Sequence, residues 1–441
     1  MKKNQMLKYI LPGIVGLLFN SLYIIVDGIF VANILGSNAL AAVTIVVPIV
    51  EILIALSLMV SIGCGVYISA NMGRRKEKEA REYFNNGLTL MIGLSLVITT
   101  LFLLLNKKIV GFLGATDLIF EETREYFIWF TFFIPCFMLN YALGTWVRND
   151  GKPKLAMIGQ IIGAILNVCL DYIFMGPMRM GIKGAAIATG LGPIIGIIIL
   201  LPHFIKKRGN LYLEKTKIER KKMKKILLGG LPSFAIEFSL GLITFLCNIF
   251  IGYKFQEIGL SAFGVIGYIN LIMLSIYLGI GQGTQPLISY LDGQNKPEEI
   301  QDIYIYSLKI AIGTGLLAYL LLYFAKPLIT GIFIDSSDIE LRSLTLKAID
   351  LFFVGVVLTG INIITASLFE AKQSIKDSIL ISAGRSFIFL LPTLMILNKM
   401  SNPMLIWLAV PISELITLIL SFNLWKKDER KYDKELKFSH N

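Results

Sequence analysis

The 441-residue chain is short of charge, of histidine and of cysteine. Only 16% of its residues are charged against 55% apolar, and its mean hydropathy is +0.71. A soluble chain carries about 25% charged residues, so this composition excludes a soluble enzyme and a disordered protein. The two histidines, His203 at an expected helix end and His440 in the tail, exclude a histidine relay. The four cysteines, Cys64, Cys136, Cys169 and Cys247, all fall inside apolar runs. A disulfide scaffold is thereby excluded, and they read as buried small hydrophobes. What the chain has in abundance is apolar length. Runs of about 20 or more such residues recur throughout, each long enough to cross a hydrocarbon core of about 30 Å. The first is too long for a signal peptide and lacks a small-residue cleavage site, so it is expected to remain as a span. The fold class expected is an all-α polytopic membrane protein.

Twelve transmembrane helices are expected, over 9–34, 40–70, 83–105, 126–147, 155–178, 182–204, 226–252, 259–291, 303–325, 345–370, 375–398 and 403–425. With the N-terminus inside, the segments on the cytoplasmic side hold 30 Lys and Arg, and the outer segments with their helix ends hold 10. That bias predicts a multi-pass protein of the plasma membrane (the inner membrane of a bacterial cell) with both termini cytoplasmic. The net charge of +12 sits in these loops and calls for no nucleic acid. The domains expected are a six-helix lobe over 1–204, a basic cytoplasmic linker over 205–225, a second six-helix lobe over 226–425 and a cytoplasmic tail over 426–441. The linker, with its run Arg220 to Lys225, serves the inside bias or contacts anionic membrane lipids.

An ungapped shift of 220 residues aligns the halves. Leu11-Pro12 falls on Leu231-Pro232, Ile29-Phe30 on Ile249-Phe250, and Leu40 and Ala42 on Leu260 and Ala262. Gly63, Ile68, Ser69, Gly73, Lys76 and Glu79 fall on Gly283, Ile288, Ser289, Gly293, Lys296 and Glu299. Lys152 falls on Lys372, at another equivalent turn. Six spans per half give both halves the same orientation. Two lobes related by a pseudo-twofold axis along the membrane normal follow, with a natural cavity between them.

Ionisable residues within spans are costly, and the default expectation is that they work. Asp27, Asp171 and Thr189 each lie about 10 Å below the expected outer boundary, at 1.5 Å per residue. Asn167 and Asp171 are four apart and share a helix face. Two carboxylates close together in a low dielectric cannot both stay ionised. Such a pair takes up and releases a proton, or with the amide and hydroxyl ligates Na⁺; the plain alternative is that both acids only bridge helices. Under the shift Asp27 becomes Cys247, Asn167 becomes Phe387 and Asp171 becomes Leu391, so one ion site is expected, in the first lobe. Glu237, near the midplane of helix 7, is a second coupling carboxylate, the anionic end of a cavity for cations, or a structural hydrogen-bonding group. Arg385 and Glu414, at one depth in adjacent helices, are expected to pair. Glu51 leans towards the cavity. Pro12 loosens the ladder of the helix that carries Asp27, or is merely tolerated in its first turn.

These residues resemble a known family. Leu22-Tyr23-Ile24-Ile25-Val26-Asp27-Gly28-Ile29-Phe30-Val31 resembles the first-helix pattern of the multidrug and toxic compound extrusion (MATE) family, and Asn167-Val168-Cys169-Leu170-Asp171 its fifth-helix N-x-x-L-D. Gly181 to Thr189 matches its G-x-x-G-A-A-x-A-T entry to helix 6, and Arg148 to Pro153 its R-x-x-G-x-P turn. Gly281-Gln282-Gly283-Thr284-Gln285-Pro286 is similar to its helix 8 motif, and the likeness covers residues 8–425. The resemblance implies a secondary transporter that expels cationic or amphipathic small molecules against H⁺ or Na⁺ by alternating access, as antibiotic-resistance pumps do. Within the DinF-like branch it implies ion coupling at Asp27, Asn167, Asp171 and Thr189, helix bending at Pro12 and a cavity tyrosine at Tyr126. Two departures stand out: 351–369 lacks the acidic residue that another branch carries in helix 10, and Leu291-Asp292-Gly293 replaces Asn-x-Gly. No cofactor is implied beyond the coupling ion, and a monomer is expected. A lipid-linked oligosaccharide flippase of the same superfamily would favour a basic central cavity, whereas the intramembrane charges here are mainly acidic. A membrane-embedded enzyme would need a catalytic His, a Ser/His pair or a metal cluster within the spans.

Overall fold

The computed structural model describes residues 3–439, with side chains as far as Arg430. Lys2, His440 and the side chains of the tail beyond Arg430 lie outside the described residues. Those described are almost entirely helical, with no strand. In a bilayer this follows from the backbone itself, because a helix satisfies every N–H and C=O within one segment where no water can.

Six helices build the first unit: α1 (Lys3–Phe30), α2 (Ser37–Gly73), α3 (Glu77–Phe112), α4 (Phe120–Asn149), α5 (Pro153–Met175) and α6 (Ile182–Ile205). A helical stretch Arg220–Gly293 follows, 74 residues long, and Gln256 breaks it with φ 54° and ψ −142°. It therefore supplies two spans, α7 (220–255) and α8 (257–293). After α9 (Pro297–Phe333), the span α10 is bent by 44° between Ile339–Phe353 and Val356–Ala371. The last two are α11 (Ile375–Asn398) and α12 (Pro403–Arg430), and the total is twelve spans. Contacts divide the chain into two compact units, one ending at Phe234 and the other beginning at Ala235.

The helices outrun the expected spans, most at their polar ends. α1 begins six residues early, at Lys3, and α9 runs from Pro297 to Phe333 instead of 303–325. Charged residues end an apolar window but not a helix, since outside the hydrocarbon they are good helix formers. One consequence concerns Pro12. It lies well inside α1, not in its first turn, where it deprives Lys8 C=O of its helical donor.

In the first unit the ends of α2, α4 and α6 are tied together. Ser69 Oγ donates to Asn149 Oδ1 at 2.5 Å, and His203 Nε2 meets Asp150 Oδ2 at 2.7 Å. This is the basic end, where α2 turns into α3 and α4 into α5. The non-helical segment 206–219 is held against it. Asn85 Nδ2 donates to Tyr212 C=O and Asn86 Nδ2 to Lys217 C=O, each at 3.2 Å, while Asp150 accepts the amides of Asn210 and Leu211. The linker is thus a strap bonded to protein. Cys64 and Cys247 are buried as expected, but Cys136 is partly exposed and Cys169 exposed. An apolar run in a membrane has lipid as well as protein to face, so cysteine in such a run need not be interior.

Candidate functional site

α1 carries Tyr23 and Asp27 one turn apart, and α5 carries Asn167 and Asp171 at the same spacing, so each pair shares a face. The two acids lie within hydrogen-bonding reach of one another. From α4, Tyr126 reaches Thr189 on α6 and faces both acids, as does Tyr23. Thr189 Oγ1 donates to Ala185 C=O at 3.0 Å. Just beyond Asp27, α1 widens into a π turn, Val31–Leu35. Such turns insert one extra residue and cluster at functional sites.

The cluster is dry. Asp171 is 0% exposed and Asn167 2%. Two ionised carboxylates have no donor to offer one another. Accordingly Asp27 Oδ1, both Asp171 oxygens and both amide atoms of Asn167 are buried without a hydrogen bond. A buried polar group left so costs about 1–3 kcal/mol, and more if charged. A proton placed between the acids converts repulsion into an O–H···O⁻ bond, the shortest and strongest type. A small hard cation would satisfy the same oxygens by coordination. No group of three or more His, Cys, Asp or Glu able to hold a metal occurs among the described residues. The donor set is two acids, an amide and hydroxyls.

Of the other sequence candidates, Glu51 is exposed on α2, and Glu237 is partly buried on α7. The second unit has an ionic network of its own. Arg385 donates to Glu414 through Nε at 2.9 and 3.1 Å and through Nη2 at 2.7 Å. Asn362 Nδ2 donates to Glu414 Oε2 at 2.7 Å, and Ser421 Oγ donates to Asn362 Oδ1 at 2.9 Å. A π turn in α11, Gly384–Ile388, sets Arg385 inward. The expected pairing of Arg385 with Glu414 is present, and it is fully bonded where the Asp27–Asp171 pair is not. Tyr23 escaped the sequence reading; its spacing of four from Asp27 was the available signal.

The MatE family model matches the chain twice, over residues 12–173 and 232–396. The chain belongs to the MatE family. The two MatE matches begin 220 residues apart, the same interval at which the sequence repeats itself, and Asp27, Asn167 and Asp171 all fall in the first. Curated relatives include "Multidrug export protein MepA" of Staphylococcus aureus (strain MSSA476), 22% identical over 401 residues, spanning 90% of this chain and 87% of the relative. The protein of the same name from Staphylococcus haemolyticus (strain JCSC1435) is 22% identical over 403 residues with the same coverage. Among solved structures, "Crystal structure of MATE in complex with MaL6" superposes with a TM-score of 0.93 at 22% identity, covering 98% of this chain and 97% of that one. "Outward-facing conformation of a multidrug resistance MATE family transporter of the MOP superfamily" also gives 0.93, at 23% identity, covering 98% and 96%. As a MatE chain with this fold, the protein is a multi-pass membrane transporter.

Proposed function

We propose that this chain is a secondary active multidrug efflux transporter, exporting cationic or amphipathic compounds in exchange for H⁺ or Na⁺ by alternating access. Asp27, Asn167, Asp171 and Thr189 form its ion-coupling site, with Tyr23 and Tyr126 closing the cluster. Glu237 and Glu51 serve the substrate path and Pro12 the bending of α1. The basic end faces the cytoplasm, both termini included. One observation carries the reading: two carboxylates from different helices meet inside the first unit with buried oxygens that nothing in the protein satisfies. Such a pair is stable with a proton or cation and unstable without, so its loading is tied to the conformation that surrounds it. The curated relatives are named as multidrug exporters, which supports small-molecule substrates.

The test is efflux of a cationic dye from everted vesicles, with a pH gradient and a Na⁺ gradient imposed separately. Asp27→Asn and Asp171→Asn should each abolish gradient-driven transport while the protein still inserts and folds. If either variant exports dye at the normal rate, the site is not the coupling site.

A further inference from the structure

Inside the first unit a cavity of about 50 Å³ runs from the acid cluster towards the basic end. At its inner limit it touches Tyr23, Asn167 and Thr189; at the other it touches Gly144, Gly159 and Arg148. Along α5 the distance from Asn167 to Gly159 is eight residues, about 12 Å. A cavity of this size has room for about three or four waters. Asn20, Asn140 and Gln160 line its middle.

The packing makes space for these amides at bulk's expense. A Cβ on Gly16 would collide with Gln160 Oε1, and one on Gly196 with Asn140 Oδ1. Each amide is therefore seated where the facing helix has no side chain. The walls contain no carboxylate, and the end of the cavity is closed by Arg148, 5% exposed, whose Nε donates to Gly144 C=O at 3.3 Å. A metal cation entering here would lose its hydration shell without a counter-charge and meet a guanidinium. A proton hopping along a water file needs neither dehydration nor a counter-charge at each step, and amides that both donate and accept hold such waters in place.

We infer that this cavity is the internal route by which the coupling proton passes between the Asp27–Asp171 pair and the cytoplasm, with Arg148 as the gate that excludes Na⁺. Neither acid lines the cavity, but Tyr23 faces both and does line it. On release, the carboxyl O–H bond breaks, the Tyr23 hydroxyl takes up that proton as it gives its own to the first water, and each water passes one proton onward until it leaves beside Arg148. The carboxylate pair is left ionised. The inference rests on Asp27 and Asp171 being the coupling pair and on the basic end being cytoplasmic.

Gln160→Leu and Asn140→Leu replace the amides by apolar groups of similar size. In reconstituted vesicles each should slow proton-driven dye efflux by at least about tenfold, since the proton then crosses an apolar plug. Equilibrium dye binding, and its dependence on pH, should stay as in the parent. Efflux at the parental rate, or a loss of binding as large as the loss of rate, would overturn the route. A second measurement does not depend on activity. In a chain whose four cysteines are replaced by alanine, Ala164→Cys should react from the basic end with a small neutral thiol reagent. A cationic reagent should react slowly there, and Arg148→Gln should accelerate it by about tenfold. No reaction with the neutral reagent, or no charge dependence, would sink the proposal. Asp27→Asn separates the two readings. If it is inactive while Gln160→Leu is normal, only the route falls; if Asp27→Asn transports normally, the coupling site itself falls.

Discussion

Asp171 and Glu414 are both carboxylates buried in spans, and their neighbours assign them opposite properties. Glu414 receives three hydrogen bonds from Arg385 and one from Asn362, so its oxygens are satisfied within the protein. Asp171 receives none and faces Asp27, so its oxygens are left for a proton or cation to satisfy on the coupling role proposed above. Removing one partner of a buried pair strands the other, at about 3–5 kcal/mol, whereas replacing both by apolar groups is often neutral. Arg385→Leu should therefore lower the melting temperature in detergent markedly, and Arg385→Leu with Glu414→Leu should restore most of it. Thermal unfolding of the purified variants reads this directly. A single variant as stable as the parent would mean that the pair is not structural. The depth match of Arg385 and Glu414 was visible in the sequence. The fourfold bonding of Glu414 was not, because Asn362 comes from a helix 52 residues away and its role depends on how α10 and α12 pack.

At the scale of elements, hydropathy located all twelve helices because the bilayer allows little else to an apolar run. The segment 206–219 was harder. Its polarity reads as linker, yet its backbone is held by Asn85 and Asn86, 127 and 131 residues away from their partners. Nothing local in composition signals an amide aimed at a distant main chain. α1 is where element and function meet. Pro12 removes one rung of its ladder well inside the helix, and Asp27 lies fifteen residues further on, just before the π turn. A helix with a missing rung bends there more easily than elsewhere. Pro12→Ala restores the rung and should slow dye transport while leaving equilibrium dye binding nearly unchanged. Rates and binding isotherms on the same preparation decide it; normal transport by Pro12→Ala would remove bending at this position from the mechanism and leave the acid pair untouched.

Over the whole molecule, the duplication sets the architecture and its decay sets the chemistry. The units begin from the same six-span plan, yet the positions equivalent to Asp27, Asn167 and Asp171 are Cys247, Phe387 and Leu391, none a carboxylate. On the proposed coupling at Asp27 and Asp171, a single acid pair means one charge change per cycle, provided the two ends of the first unit face different compartments. That orientation rests on electrostatics. Thirty basic residues stand on one side and ten on the other, and basic loops stay on the cytoplasmic side during insertion. Two positions report it cleanly: Lys215, exposed on the strap, and Asp117, exposed in the turn between α3 and α4. In intact cells a membrane-impermeant thiol reagent should label Asp117→Cys and leave Lys215→Cys unlabelled, and in everted vesicles the pattern should reverse. Labelling of Lys215→Cys in intact cells would invert the molecule. The route through Arg148 would then open to the outside, and a proton leaving the Asp27–Asp171 pair would be delivered to the wrong face of the membrane.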